Sequence, residues 1–258
     1  MVFVHDISPI MFSLGPISVR WYGALFATGL ALNYMLIRWA FKKRKYDLKK
    51  LDSVVFYLFF GLVIGARMGE VLFYEPAYFF SHPLDIVKIW QGGLSSHGAA
   101  IGLFVAYLIW CKVHKVKFSK YIDTLVIGMP LTAAFVRIGN FFNSEILGTE
   151  TNGGYGVVFA RKGEIITRHP VQLYSAFMNL VIFAVIFFLF KKYYKKMPPM
   201  FFLFLYLAMY FIGRFVVEFW KDLHTLPEAF PLSMGQLLSL LPIAVAGFYF
   251  AKIYPKQR

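Results

Sequence analysis

The sequence predicts an all-α polytopic membrane protein with seven transmembrane helices. Of its 258 residues, 59% are hydrophobic, 30 are phenylalanine and only 16% are charged, a composition typical of membrane-embedded chains. The chain contains seven apolar stretches, each close to the ~20 residues that a helix needs to cross the hydrocarbon core. Helix is favoured over strand because the stretches are long and continuous, and a lone span must satisfy its own backbone hydrogen bonds.

The predicted spans follow one another without an obvious domain boundary. They cover residues 17–40, 53–74, 93–111, 121–142, 171–190, 200–220 and 233–251. No Gly/Ser linker, low-complexity tract or internal repeat separates them, so residues 1–258 are interpreted as a single integral domain with external loops at about 75–90, 143–170 and 221–232. The N-terminus lacks the basic region and cleavage site of a removable signal peptide, and we expect the first span to be retained.

The basic residues predict the orientation of the spans. Eighteen of the 27 lysines and arginines lie in four blocks, which follow spans 1, 3, 5 and 7. By the positive-inside rule these blocks are cytoplasmic, so the N-terminus is outside and the C-terminus is inside. The net charge of +14 therefore marks membrane topology, and no nucleic acid partner is expected because no soluble domain carries a basic face.

Cysteine and histidine usage argues against metal or disulfide chemistry. The single cysteine, Cys111, excludes an intrachain disulfide and a cysteine cluster. No histidine pair has a metal-ligand spacing, so no metal site and no cofactor are expected. His5 is interpreted as an ordinary solvated histidine of the N-terminal segment, and His224 as one in an external connection.

With this orientation, the unusual polar residues of all seven spans fall in the outer half of the membrane. Such residues at membrane depth indicate a functional site by default. They are Tyr22, Arg67, His97, Arg137, Asn140, Asn143, Glu145, Arg168, His169, Gln172, Tyr210, Arg214, Glu218 and Gln236.

Spacing within helices separates structural from functional candidates. Arg67 and Glu70 lie at i, i+3 and are interpreted as a structural clamp, whereas Tyr210, Arg214 and Glu218 share one helix face. Glycines spaced four apart, at positions 61, 65 and 69 and at 98 and 102, are expected to let helix backbones approach closely.

This set of residues suits an anionic phospholipid substrate in the outer leaflet. Arg137 and Arg214 are predicted to clamp the phosphodiester and to stabilise the charge on a leaving phosphate. His97 is a candidate general base because a histidine imidazole has a pKa near neutral, although a capping or packing histidine is the alternative. The remaining candidates are expected to orient substrate or arginines: Tyr22, Asn140, Asn143, Glu145, Tyr210 and Glu218.

Residues 137–148, with the pattern Arg-x-Gly-Asn-Phe-x-Asn-x-Glu-x-x-Gly, resemble the signature of prolipoprotein diacylglyceryl transferases. Further matches follow in the order of that family: Trp21-Tyr22-Gly23, Gly92-Gly93-Leu-Ser-Ser-His97-Gly98, Arg168-His169-Pro170-Val-Gln172-Leu-Tyr174 and Ser233-Met234-Gly235-Gln236. The resemblance covers nearly the whole chain. It implies transfer of diacylglyceryl from phosphatidylglycerol to the lipobox cysteine of a prolipoprotein signal peptide, with release of glycerol phosphate, at the extracytoplasmic leaflet of the cytoplasmic membrane.

Three positions depart from the pattern of the family. Val136 and Ala99 stand where glycine is usual, and Ser175 replaces a glutamate. An inactive lipid-binding protein therefore remains an alternative to the enzyme. A transporter is the alternative from another class, although the odd number of spans and the lack of paired halves argue against it.

Overall fold

The computed structural model describes residues 1–15, 17–222 and 231–257, apart from the side chains of Ile17 and Gln91. The helices are α1 (Trp21–Arg44), α2 (Leu48–Gly69), α3 (Pro76–Ser81), α4 (Ser96–Val113), α5 (Ile122–Leu125), α6 (Met129–Phe142), α7 (Val171–Tyr193), α8 (Phe201–Val217), α9 (Met234–Phe248) and α10 (Tyr254–Gln257). The strands are β1 (Val2–His5), β2 (Ile10–Leu14), β3 (Ile17–Arg20) and β4 (Gly156–Phe159).

The predicted fold class is confirmed, because the described chain contains seven helices long and apolar enough to cross a membrane. The second of these is α2 extended by a π-helical segment, Glu70–Tyr74. The first starts later than predicted, since residues 17–20 pair with β2 instead of opening the helix. Of the predicted loop 221–232, residues 223–230 and hence His224 lie outside the described residues. The orientation of the spans remains a prediction.

The chain divides into two compact units, one of residues 1–37 with 122–258 (unit 1) and one of residues 38–121 (unit 2). The single integral domain stays a prediction. In unit 1, α6 packs on α7, α7 on α8, and α8 on α9. Gly29 brings α1 against α6, because a Cβ there would lie 3.0 Å from the Cβ of Phe135.

Short strands support the loop that follows α6 in unit 1. β1 runs parallel to β4, and β2 and β3 form an antiparallel hairpin. His5, at the end of β1, is fully buried between Phe141 and Phe159, with ring centroids 4.6 and 5.4 Å away. The expectation that His5 is solvated is therefore wrong. Strand pairing carries its side chain into an aromatic cluster that the sequence alone did not reveal.

A buried carboxylate organises the opposite end of unit 1. Asp123 in α5 accepts hydrogen bonds from the backbone amides of Met200 (2.8 Å) and Leu203 (2.9 Å). These donors belong to the start of α8, so a side chain from another helix supplies the N-terminal cap that α8 lacks. Asp123 therefore has a structural explanation and is no candidate for chemistry.

In unit 2, the glycine spacing has the predicted packing role. A Cβ on Gly65 would lie 2.5 Å from the carbonyl oxygen of Gly98 and 2.6 Å from the Cα of Gly102. The backbones of α2 and α4 are thus in direct contact, which any side chain at these positions would prevent.

Arg67 has the predicted structural role in unit 2, but with partners other than Glu70. Its buried guanidinium donates to the carbonyl oxygens of Asp85, Ile86 (2.9 Å), Gly92 (2.7 Å) and Gly93 (3.0 Å). It also lies 4.6 Å from the ring centroid of Phe79. Arg67 therefore holds the connection between α3 and α4, which contains two short 3-10 helices, Pro83–Val87 and Ile89–Gln91.

Candidate functional site

Two arginines from different helices meet at one tyrosine hydroxyl in unit 1. Arg137 lies near the end of α6 and Arg214 near the end of α8, and the Tyr210 hydroxyl is hydrogen-bonded to both guanidinium groups. Among the described residues, neither arginine has a carboxylate within ion-pairing distance. Two guanidinium groups this close repel each other, and an anion bound to both would relieve that repulsion.

Two asparagines hold a carboxylate next to this pair. Asn140 Nδ2 donates to Glu145 Oε2 (2.9 Å), and Asn143 Nδ2 donates to Glu145 Oε1 (3.1 Å). The side-chain oxygen of Asn140 accepts a hydrogen bond of 3.4 Å from Arg137 Nη1. Asn140 therefore relays between the carboxylate and Arg137, and Glu145 does not neutralise the arginine directly.

The turn that carries Glu145 has an uncommon backbone. Ser144 and Ile146 have φ angles of +52° and +57°, a left-handed conformation that disfavours non-glycine residues by about 1–2 kcal/mol. The Glu145 amide donates to the carbonyl oxygen of Asn140 (2.9 Å), and Gln172 Nε2, at the start of α7, donates to the carbonyl oxygen of Glu145 (2.6 Å). Strained backbone of this kind concentrates at functional sites.

Tyr22 joins the cluster from the start of α1 because Gly139 leaves room for it. A Cβ on Gly139 would lie 2.9 Å from Tyr22 Cδ2 and 3.2 Å from its Cα. The phenol interacts electrostatically with both Glu145 and Arg137. The structure thus brings Tyr22 to the same cluster as the signature residues of α6.

Glu218 has a different partner from the one that its position on α8 suggested. The α-helix ends at Val217, and the Glu218 carboxylate bonds to Lys221 Nζ at 2.6 Å, with both side chains almost fully buried. The carboxylate also packs on Gly235, in the first turn of α9, where the helix dipole favours negative charge. Glu218 therefore holds Lys221 in place and, among the described ion pairs, does not pair with Arg214.

Lys221 is a third cation in the cluster. Burial lowers the pKa of its ammonium group, an effect that the bond to Glu218 opposes and the charges of Arg137 and Arg214 reinforce. Three cationic side chains therefore face two carboxylates, and the group has a net positive charge. This is the electrostatic setting of an anion site.

Backbone pairing fixes Lys221 relative to the signature loop. The Thr149 amide donates to the carbonyl oxygen of Trp220 (2.8 Å), and the Asp222 amide donates to that of Leu147 (3.1 Å). Arg168 clamps this ribbon by donating to Asp222 Oδ2 (2.6 Å) and to the carbonyl oxygen of Gly148 (3.0 Å). The loop after α6 and the segment after α8 thus form one hydrogen-bonded structure.

His97 lies in unit 2, near the start of α4, with an exposed side chain. It does not cap the helix, since Ser95 Oγ accepts the hydrogen bond from the Gly98 amide at 3.1 Å. Its Nδ1 lies 3.1 Å from the hydroxyl oxygen of Tyr74. In the part of the chain that the structure describes, no group of three or more His, Cys, Asp or Glu side chains is placed to hold a metal ion.

A model of the family described as prolipoprotein diacylglyceryl transferase matches residues 9–252. The chain belongs to this family. Relatives named phosphatidylglycerol–prolipoprotein diacylglyceryl transferase include one from Tolumonas auensis, 43% identical over 97% of this chain and 96% of the relative. One from Bacteroides fragilis is 37% identical over 97% and 95%, and one from Chloroherpeton thalassium is 36% identical over 94% and 90%.

Within this family member, the sequence-predicted residues of unit 1 converge, Gln172 among them, and two further residues join them. Lys221 and Gly235 contact site residues directly, although the sequence analysis singles out neither of them as a site residue. Lys221 could have been found from its charge, because it directly follows the predicted span 6 and lies outside the four basic blocks. Gly235 could not, since its role depends on how α9 packs against Glu218.

The three departures from the family pattern occupy helical positions. Ser175 is buried within α7, where its backbone carbonyl accepts a hydrogen bond from Asn179 Nδ2 at 2.8 Å. Val136 is half-buried in α6 and Ala99 half-buried in α4. None of the three replaces a residue of the arginine cluster.

Proposed function

We propose that this protein transfers the diacylglyceryl group of phosphatidylglycerol to the lipobox cysteine thiol of a prolipoprotein signal peptide. The observation that carries the proposal is the pair of arginines held on the Tyr210 hydroxyl without a neutralising carboxylate. A planar guanidinium fork matches the oxygens of a phosphodiester. Family membership supports the same activity, since the relatives carry it in their names.

In the transfer step, the cysteine sulfur bonds to the glycerol carbon that carries the phosphate ester. The bond between that carbon and the ester oxygen breaks, and glycerol phosphate leaves with the electron pair. The phosphate group gains one negative charge in this step. Arg137 and Arg214 stabilise that charge as it develops, which is where donors placed in advance lower a barrier most.

The residues around the arginines keep them in place and adjust their charge. Lys221 adds positive charge next to the phosphate site, and Glu218 holds it there. Asn140 and Asn143 position Glu145, because their side-chain amides donate to its two carboxylate oxygens. The carboxylate is therefore bonded to amides and not to the arginines. Tyr22 and Glu145 help to orient the substrate headgroup and the arginines.

His97 is the candidate base that removes the thiol proton. A thiolate is the reactive nucleophile, and an imidazole titrates in the range needed to form it at neutral pH. The proton removed from sulfur thus ends on the imidazole, and the negative charge passes through sulfur to the leaving phosphate. The exposed position of the His97 side chain in unit 2 supports this role.

The site is proposed to open toward the extracytoplasmic leaflet of the cytoplasmic membrane. Seven membrane-crossing helices make the protein multi-pass, and the positive-inside rule applied to the four basic blocks supports this orientation. The substrates are then a membrane lipid and a signal peptide that has crossed the membrane.

A direct test uses purified protein, phosphatidylglycerol and a lipobox peptide, with products read by mass spectrometry. The expected product is a diacylglyceryl adduct on the peptide cysteine, together with one equivalent of glycerol phosphate, and none with a Cys→Ser peptide. Lipid binding without adduct by the folded protein would favour the inactive lipid-binding alternative. Solute flux through reconstituted vesicles without lipid turnover would favour a transporter.

A further inference from the structure

The contact between Tyr74 and His97 suggests how the histidine is oriented. Tyr74 Oη lies 3.1 Å from His97 Nδ1, and both residues belong to unit 2. Tyr74 is the last residue of the π-helical segment, and its side chain is 57% exposed. The hydroxyl is therefore not engaged in packing the helix core.

The local structure directs Tyr74 toward α4. The Glu75 amide donates to the carbonyl oxygen of Glu70 (3.1 Å), a π-type bond that inserts an extra residue into the end of α2 and turns the following side chains. Such insertions occur often at functional sites. Without the π-type turn, the phenol at position 74 would leave the helix in a different direction.

The start of α4 is fixed equally well. The Ser95 amide donates to the carbonyl oxygen of Ala66 (2.9 Å), and a Cβ on Gly98 would lie 2.7 Å from the Cα of Gly69. The backbone on both sides of His97 is thus held against α2. The hydroxyl of Tyr74 then contacts the His97 ring at Nδ1.

The two ring nitrogens of a histidine are coupled through the single proton that they share in the neutral form. If Nδ1–H donates to an oxygen, Nε2 carries the lone pair that can accept a proton. We propose that Tyr74 is a positioning residue that fixes the ring orientation and tautomer of His97 through Nδ1. This inference rests on the proposed role of His97 as the base.

The test removes one hydroxyl and measures both the ring and the reaction. Tyr74→Phe keeps the aromatic packing and loses only the contact to Nδ1. We expect kcat to fall about fivefold, the typical effect of one hydrogen bond, while KM for phosphatidylglycerol stays unchanged. Ring ¹⁵N chemical shifts of selectively labelled histidine, with the His97 signals assigned by their loss in His97→Gln, should move toward a mixture of tautomers.

Tyr78→Phe is the matched control. Tyr78 lies in α3, also in unit 2, and its hydroxyl donates to Asp85 Oδ2 at 2.7 Å. We expect neither kcat nor the His97 ¹⁵N shifts to change in this variant.

The two proposals fail in different ways. Unchanged His97 ¹⁵N shifts or an unchanged kcat in Tyr74→Phe, with a slow His97→Gln enzyme, would overturn the role of Tyr74 alone. Transfer at the full rate by His97→Gln would overturn the base assignment, and with it the expected effect of Tyr74→Phe on kcat. The shifts would still report whether Tyr74 orients the ring.

Discussion

Arg67 in unit 2 and the pair Arg137 and Arg214 in unit 1 show two uses of the same side chain in one membrane protein. The guanidinium of Arg67 is buried, with backbone carbonyl oxygens around it and an aromatic ring against its face. Arg137 and Arg214 are half-buried, share one phenol and lack an ion pair among the described residues. Arg67 has its acceptors within the protein, whereas the pair is set to receive them from a ligand.

The difference follows from the energetics of buried charge. A guanidinium taken out of water needs acceptors for its five donors. Where the chain supplies them, the arginine stabilises a loop. Where the chain leaves guanidinium donors without acceptors, as at the buried Nε of Arg214, those donors and the positive potential attract an anion. The number of protein acceptors around each arginine therefore indicates its role better than its depth in the membrane does.

The largest expected effect is on catalysis. Arg137→Ala and Arg214→Ala should each lower kcat/KM for transfer at least 100-fold, the usual effect of removing a preorganised charge donor, with little change in thermal stability. Arg161→Ala is the control, because Arg161 is exposed and its ion pair with Asp6 is long, at 3.9 Å. Full activity in either site variant would contradict the phosphate-clamp role.

Arg67→Met should show the opposite pattern. We expect it to lower the stability of the protein, whereas the changes at Arg137 and Arg214 lower the rate of transfer. The carbonyl oxygens of residues 85–93 would lose their donor, which we expect to destabilise the protein by roughly 3 kcal/mol. Thermal unfolding in detergent and hydrogen exchange of that segment would measure it. Normal protection of residues 85–93 in the variant would show that Arg67 does not hold them.

Lys221 sharpens the comparison, because it is the cation of the site that can titrate. Its pKa is lowered, chiefly by burial, so its charge is lost at a pH below the ordinary lysine range. Transfer should therefore decline as the pH rises through that lowered value. Lys221→Arg should remove the decline in a pH profile of kcat/KM, and Lys221→Met should be about tenfold slower at neutral pH. Identical alkaline limbs for wild type and Lys221→Arg would exclude this titration.

The smallest expected effect is on the pH dependence of stability, and it concerns His5, which is buried among aromatic side chains. Burial lowers the pKa of His5, so the folded state binds its proton less readily than the unfolded state. Stability should accordingly be complete above the unfolded pKa, near 6.5, and should fall as the pH drops below it. His5→Phe keeps the ring contacts and should show a weaker acid dependence of Tm. An equal decrease of Tm at acid pH in wild type and His5→Phe would show that protonation of His5 is not the cause.

Sequence reasoning succeeded where one helix or one glycine stripe determines the result. The seven helices, the contact of Gly65 with α4 and the convergence of Arg137 and Arg214 all followed from periodicity, spacing or charge. It failed where partners come from distant segments. Glu218 was expected to support Arg214 from one turn away, but the helix ends between them and the carboxylate pairs with Lys221. The burial of His5 likewise depends on a strand more than 150 residues later.

The hydrogen-bonded ribbon between the signature loop and the segment after α8 has a consequence for biosynthesis. Thr149 and Trp220 are 71 residues apart in the chain. The loop therefore cannot take its final shape while only the first four membrane-crossing helices have been made. Arg137 enters the membrane long before Tyr210, Arg214 and Lys221 are synthesised. A ribosome-bound precursor thus carries Arg137 and Asn140 without the partners that α8 supplies, and the nascent protein becomes able to engage its substrate only when insertion is nearly complete.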